Sequence, residues 1–445
     1  MTLDDRCRMM RKPVRSHYPM SKPLHPAKTA LIALLAPLVA SANDTFTIDL
    51  AQLRSAGPTP GTVIDSTNVG HYGDVLDAEV ARLIAAGDFA ITVGEPISFD
   101  THPAFVAATV ADATTLGAEP GELLNYPGGL PFPAPPQVDD PQAGDKLAWN
   151  MRYAWSGDNG RLIDMIWHYR DMHRDKVERE VRFEASMMRF MHRHVDAPIP
   201  EVSDNPGGVF FALYLRATYP PDVKNTQVLI HRLEDDKRQE QGWMYVPFQR
   251  RVRRLATGQK TDAFLGSDIM IEDFLGYNGR IKDMTWRYAG SKLALMPMYR
   301  HNEQTGLSEP QKDGFSFIGN GGTAGCFPEV RWQMRPVHLL EGSPRERGHP
   351  LSKRFFYVDS QTYVSPVSLI YDRAGKLWKL GIAGTSHPEY HAPENAGSGT
   401  PIFDGASMID LQARHCTTLT VRASVNVEGL RPLDFQPGAL RAAGR

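Results

Sequence analysis

Three groups of side chains in this sequence have types and spacings that could do chemistry. His387-Pro-Glu-Tyr-His391 puts two imidazoles and a carboxylate within five residues, a donor set that zinc accepts. Pro388 excludes a regular helix interior there. Any metal held by His387, Glu389 and His391 would therefore need alternate positions of an extended chain and a further ligand from elsewhere. One reading is a metal-assisted hydrolase; the other is a polar loop. The second group is the segment Trp243–Leu255, which carries Arg250, Arg251, Arg253 and Arg254. Four guanidinium groups in five positions repel one another, so counter-charges are expected. The cluster either grips an acidic headgroup or an acidic partner, or pairs with Asp262, Asp268, Glu272 and Asp273 just downstream. The third group is apolar. Trp167, Tyr169, Met188, Phe211, Trp243, Tyr245, Trp286 and Tyr288 fall in or beside strand-like runs. They would form either the wall of an adaptable apolar pocket or plain core.

Patterns that would fix an enzyme class are missing. No serine has glycines at both −2 and +2, and no Ser-x-x-Lys occurs. Neither a Walker-type loop nor the helical zinc-protease pattern is present. The glycine cluster at Gly319, Gly321, Gly322 and Gly325 lacks the Lys-Ser/Thr ending of a phosphate cradle and reads as a flexible turn. No catalytic residue and no cofactor is assigned.

From about Met151 onward the chain reads as strands: 161–170, 180–190, 209–217, 226–233, 242–247, 283–288, 331–338, 355–358, 367–371 and 377–380. Many short apolar runs with turn punctuation indicate a large antiparallel sheet or barrel. Asp372-Arg-Ala-Gly375 reads as a hairpin turn between two of them. Residues 43–150 read as an N-terminal helical and extended segment. Leu76, Val80, Leu83 and Ile84 share one face of a helix expected over 73–87, with Asp74 at its start and Gly87 at its stop. The proline-rich stretch 125–136 reads as an extended strap. A short helix is expected over 267–275, capped by Ser267 or Asp268. Residues 151–425 then form the body and 426–445 a C-terminal tail.

Arg11, Lys12, Arg15, Lys22 and Lys28 precede the apolar run Thr29–Val39, and Ala40-Ser41-Ala42 follows it. Basic, apolar, then small-x-small is the order of a secretory signal, with cleavage expected before Asn43 and Met20 as a more ordinary start. The apolar run is too short for the ~20 residues of a spanning helix. After removal of residues 1–42 the chain carries 42 Lys+Arg against 49 Asp+Glu, a net charge of about −7. Such a surface offers no general attraction to nucleic acid or to anionic lipid. Cys7 leaves with the leader, and Cys326 and Cys416 remain. In an oxidising compartment they would form either a disulfide or two buried thiols.

Several of these residues occur in a family-like combination. Trp243-x-Tyr-x-Pro247, then Gln249-Arg-Arg-Val-Arg-Arg-Leu255, Leu265-Gly-Ser-Asp268 and Glu272-Asp-Phe274 resemble a family of exported bacterial outer-membrane-lipoprotein-sorting-like proteins of unknown function. Tyr126 through Pro133, Asp140–Gly144 and Leu147–Asn150 resemble its N-terminal half; Phe356–Asp359 and Tyr371–Trp378 resemble its C-terminal half. That family is similar in expected fold to the Lol lipoprotein carriers. The resemblance implies a mainly β (α+β) protein: an incomplete antiparallel barrel with a few covering helices, shielding acyl chains. It further implies a periplasmic carrier or adaptor for an apolar ligand such as a lipid, a lipoprotein acyl chain or a hydrophobic small molecule. The expected partners are a transporter of the resistance-nodulation-division (RND) type and an outer-membrane barrel protein, with peripheral membrane contact and no nucleic acid.

Overall fold

The computed structural model describes residues 44–255 and 260–443; the expected leader, residues 1–42, lies outside them. The body is one sheet of long strands in chain order: β1 (Asn159–Asp171), β2 (Lys176–Arg189), β3 (Val209–Tyr219), β4 (Gln227–Leu233), β5 (Gln241–Val246), β6 (Arg251–Arg254), β7 (Met284–Met296), β8 (Arg331–Pro344), β9 (Leu351–Asp359), β10 (Val367–Asp372), β11 (Leu377–Ser386), β12 (Ile402–Asp410) and β13 (His415–Val425). Their spatial order is β7-β8-β9-β10-β11-β12-β13-β1-β2-β3-β4-β5-β6, each neighbouring pair antiparallel. Among the described residues no pairing joins β6 to β7, so the barrel is incomplete. Bulges bend the strands, one in β1 where Asp164 takes φ 50° and one in β7 between Tyr288 and Ser291.

Alternation along the strands assigns the two faces. On β2, Val181, Phe183 and Ala185 turn into the main interior cluster, whereas Met188 joins a separate cluster on the opposite face. A third cluster packs α2 (Ala78–Ala85) through Val80, Leu83 and Ile84 against Trp332, Met334 and Val337 of β8. The Cys326–Cys416 disulfide sits in that cluster. The strap lies on α4 (Ala143–Tyr153): the Phe132 N–H donates to Asn150 Oδ1 at 2.9 Å, and Asn150 Nδ2 donates back to the Phe132 carbonyl at 2.7 Å. At the chain's end Phe435 and Leu440 are buried on the face that carries Met188 and Tyr245.

Local chemistry explains where the elements differ from expectation. The helix expected from Asp74 starts at Ala78, because Asp77 accepts from the Glu79 and Val80 N–H groups while the preceding residues turn on the Tyr72 carbonyl. The helix expected over 267–275 is instead a pair of 3-10 turns, Phe264–Gly266 and Ile271–Asp273. There Ser267 and Asp273 side chains take the Ile269 and Met270 N–H groups, which competes with a helix. β12 and β13 escape a search for apolar runs because their buried positions include Asp404, Ser407, Thr417, Thr418 and Ser424.

Candidate ligand-binding cavity

The concave face of the sheet and the segments that cross it enclose a cavity of about 340 Å³. Its floor is Leu162, Met165 and Trp167 of β1, Ala185 and Met187 of β2, and Phe211, Leu213 and Leu215 of β3, continued by Met408 of β12 and Leu419 of β13. Its cover is Met151 and Arg152 of α4 together with Ile269, Phe274, Leu275, Tyr277 and Ile281. A concave, largely apolar space with a few polar groups is the usual form of a small-molecule site.

The covering segment 264–283 is latched by buried charge. Arg354 on β9 donates from Nη1 to Asp273 at 2.6 Å and from Nη2 to Glu272 at 3.0 Å, with His349 and Lys260 at 3.5 and 3.7 Å from Glu272. Burial works to raise the Glu272 pKa, but Arg354, His349 and Lys260 outweigh it and lower it from 4.5 to about 2. Asp268 makes the second latch, accepting from His415 Nδ1 and Thr417 Oγ1 of β13, both at 2.7 Å. Acidic residues that sequence proximity offered to the arginine cluster are thus committed to the wall strands.

Of the apolar candidates, Trp167 and Phe211 line the cavity. Tyr169 and Trp286 are buried in the same interior cluster but not on its wall: Tyr169 donates to the Leu265 carbonyl at 3.3 Å, and Trp286 Nε1 donates to the Ile281 carbonyl at 2.9 Å. Met188, Trp243 and Tyr245 belong to the opposite face, packed with Phe435. Tyr288 is half-buried and bonds Ser291 Oγ at 2.7 Å. Sequence reasoning weighed Met187 and Met188 together and kept Met188, and it missed Leu213 and Leu215; strand parity reveals Met187, Leu213 and Leu215 once one wall residue is known. Arg250, Arg251, Arg253 and Arg254 are exposed at and beside the edge strand β6, and none lines the cavity. Among the described residues, Asp268, Glu272 and Asp273 pair elsewhere, so they are not the arginines' counter-charges.

His387, Glu389 and His391 do not converge. His387 caps the short helix α5 (Pro388–His391) by accepting from the Glu389 N–H, and the Glu389 carboxylate accepts from the Gly397 N–H. His391 instead joins His301 and Asp404, with one ligand atom of each within 4.8 Å of the others. This buried trio contains zinc-type donors, but its protons are already assigned. Asn395 Oδ1 accepts from the Val425 N–H and its Nδ2 donates to the Ala423 carbonyl, so Nδ2 also donates to His391 Nδ1 at 2.9 Å. That fixes the proton of neutral His391 on Nε2, the atom that would have to ligate. His301 bonds Asp404 and the Ser316 carbonyl through its two nitrogens, at 2.7 and 2.8 Å, so both carry protons. Burial would lower the His301 pKa, but the Asp404 contact raises it above 6.5; burial lowers that of His391 to about 4. Asp404 takes Tyr299 and His301 as its donors, and His391 Nε2 stands 4.0 Å from it without a hydrogen-bond partner; with that nitrogen protonated and both His301 nitrogens donating, the metal reading does not fit the trio.

An open antiparallel barrel, covered by a charge-latched segment over an apolar cavity, defines a cavity-bearing half-barrel protein. The chain belongs to the DUF1329 family, proteins of unknown function, whose model matches residues 63–441. An uncharacterized Pseudomonas aeruginosa protein is 24% identical over 412 residues, 87% of this chain and 83% of its own length. Among solved structures, a putative outer membrane lipoprotein-sorting protein domain from Vibrio parahaemolyticus is 16% identical, covers 68% of this chain and all (100%) of its own, and has a TM-score of 0.46. A DUF1329 family protein from Desulfovibrio piger is also 16% identical, with coverages of 68% and 99% and a TM-score of 0.47.

Proposed function

We propose that this chain is a periplasmic carrier or adaptor that takes an apolar ligand into its half-barrel and serves an envelope export system. The observation that carries the reading is the cavity itself, apolar on its sheet side and covered by a segment held through ion pairs rather than through a continuous sheet. Burial of acyl carbons would drive binding at roughly 0.8 kcal/mol per methylene. Among the described residues no helix is long and apolar enough to cross a membrane. The exposed arginines at Arg250, Arg251, Arg253 and Arg254 are the surface for an acidic partner or headgroup outside the cavity. An RND-type transporter and an outer-membrane barrel protein are the partners in this reading. Native mass spectrometry of the protein purified from its host envelope tests it. The expected result is a co-purifying apolar molecule. A chain that is always empty and takes up no fluorescent fatty acid refutes it.

A further inference from the structure

Resting on the cavity reading above, the inference here concerns what the ligand's head must be. Four charged residues line the cavity: Arg152, Arg189, Arg232 and Asp273. Three have a partner of opposite charge. Arg152 pairs with Asp236, Arg232 Nε lies 3.4 Å from Glu240, and Asp273 is held by Arg354 at 2.6 Å.

Arg189 does not. It is the last residue of β2 and only 2% exposed. Its guanidinium donates to the Gly157 carbonyl at 3.1 Å, the Ala154 carbonyl at 2.7 Å and Ser156 Oγ at 3.1 Å, all uncharged. Nη1 is buried without a hydrogen-bond partner. The neighbouring carboxylate, Asp158, is taken up by the N–H groups of His194, Val195 and Asp196. Burial accordingly lowers the Arg189 pKa, with Tyr126 and Asp158 offsetting only part of the effect. A buried cation without an anion is costly unless something supplies one.

The place of Arg189 in the register gives that cost a use. Met187, the inward position next to it, pairs with Gly160; Trp167 pairs with Val181 further along. The apolar floor therefore runs from the Arg189 end toward Trp167 over about 20 Å of strand. The volume of about 340 Å³ lies at the low end of the ~300–1,000 Å³ range of small-molecule pockets, which suits one acyl-type chain.

We propose that the cavity takes a single-chain amphiphile with an anionic head, a carboxylate or phosphate set against Arg189 and Ser156, its chain lying on the floor toward Trp167. With Nε and Nη2 already donating, Nη1 is the donor left for the head, a charge-assisted contact that suits either anion.

The test uses the full chain and a neutral reporter, N-phenyl-1-naphthylamine, displaced by dodecanoate, dodecyl phosphate, dodecan-1-ol or dodecylamine. Equal chain lengths hold the apolar contribution constant. Dodecanoate or dodecyl phosphate is expected to displace the reporter at least tenfold more tightly than the alcohol, and the amine more weakly than both. Which anion leads identifies the head. Arg189→Met should keep alcohol binding and abolish the anion preference, whereas Arg189→Lys should keep part of it. Equal displacement by alcohol and anions in the wild type overturns the inference while leaving the cavity reading intact. A preference that survives in Arg189→Met overturns the assignment to Arg189. Displacement by none of the four overturns the cavity reading itself. Should the variants not fold, the wild-type comparison of heads still decides.

Discussion

Replacing Arg354 by methionine keeps most of the side-chain volume and removes the cation that holds the cover. Glu272 and Asp273 then stay buried, and among the described residues Lys260 at 3.7 Å and the His349 ring at 3.5 Å are the groups left to pair with Glu272. The size of the effect follows from Glu272. Its fall from 4.5 to about 2 corresponds, at ~1.4 kcal/mol per tenfold in proton affinity, to about 3 kcal/mol of folding stability. Loss of one partner from a buried pair costs ~3–5 kcal/mol by general experience, so the two routes agree. For the roughly 400 described residues the unfolding entropy is about 0.8 kcal/mol/K, which puts the Tm decrease at about 4–6 °C. The same carboxyl sets the acid limb. Because its folded pKa is depressed, its contribution is complete above pH 4.5 and fades as pH falls toward about 2. Arg354→Met should flatten that limb. Calorimetry between pH 3 and 7, with limited proteolysis across 264–283, measures both effects. A Tm within 1 °C of the wild type at pH 7, with unchanged cleavage, would show that the carboxylates find equivalent partners and that the latch is not Arg354.

Strand parity is tested by a matched pair. Met187→Trp grows into the cavity and should reduce reporter uptake at little cost in stability, while Met188→Trp overpacks the opposite face at about 1–3 kcal/mol and leaves uptake alone; the reverse pattern in binding and urea titrations refutes the face assignment. Reduction of the Cys326–Cys416 bridge, or Cys326→Ser with Cys416→Ser, should cost about 4–5 kcal/mol for a sequence separation of 90, read as a fall in the urea midpoint. An unchanged midpoint after reduction refutes it. Metal analysis after dialysis against zinc should find the wild type without a stoichiometric ion, and Asn395→Asp, which gives the His391 Nδ1–H an acceptor, should raise retention. Stoichiometric zinc in the wild type refutes the tautomer argument.

The fold was legible where burial is one-sided or the run is apolar. Val209–Tyr219 and Gln227–Leu233 lie within two residues of their expected bounds because every second position or more is aliphatic or aromatic. β12 and β13 were not legible, since threonine, serine and aspartate occupy buried positions in them, and some find their partners far along the chain, as Thr417 does in Asp268. The cavity was half legible. Residue type marked Trp167 and Phe211, but type alone cannot tell Met187 from Met188, which differ only in the face they occupy. The arginine-rich segment and the acids after it misled for a related reason. Closeness in sequence suggested pairing, whereas an edge strand and a covering segment lead their side chains to different neighbours.

That separation bears on how the molecule could load and unload. The segment 265–274 sets Ile269 and Phe274 on the cavity and ties Asp268, Glu272 and the cavity-lining Asp273 to the wall strands, so one stretch of chain both covers the ligand and carries the charges that hold it shut. Its two latches also differ in chemistry. Arg354 remains a cation at any physiological pH. His415 at the other latch is held above 6.5 chiefly by its bond to Asp268, against the effect of burial. Raising pH through the His415 value therefore weakens the Asp268 latch while leaving the Arg354 latch intact, and lowering pH through Glu272's range weakens the Arg354 latch. Exchange of a bound reporter should accordingly quicken at alkaline pH through the Asp268 end, and His415→Gln should remove that acceleration without touching the acid limb. An alkaline acceleration that persists in His415→Gln would assign the opening to another part of the cover.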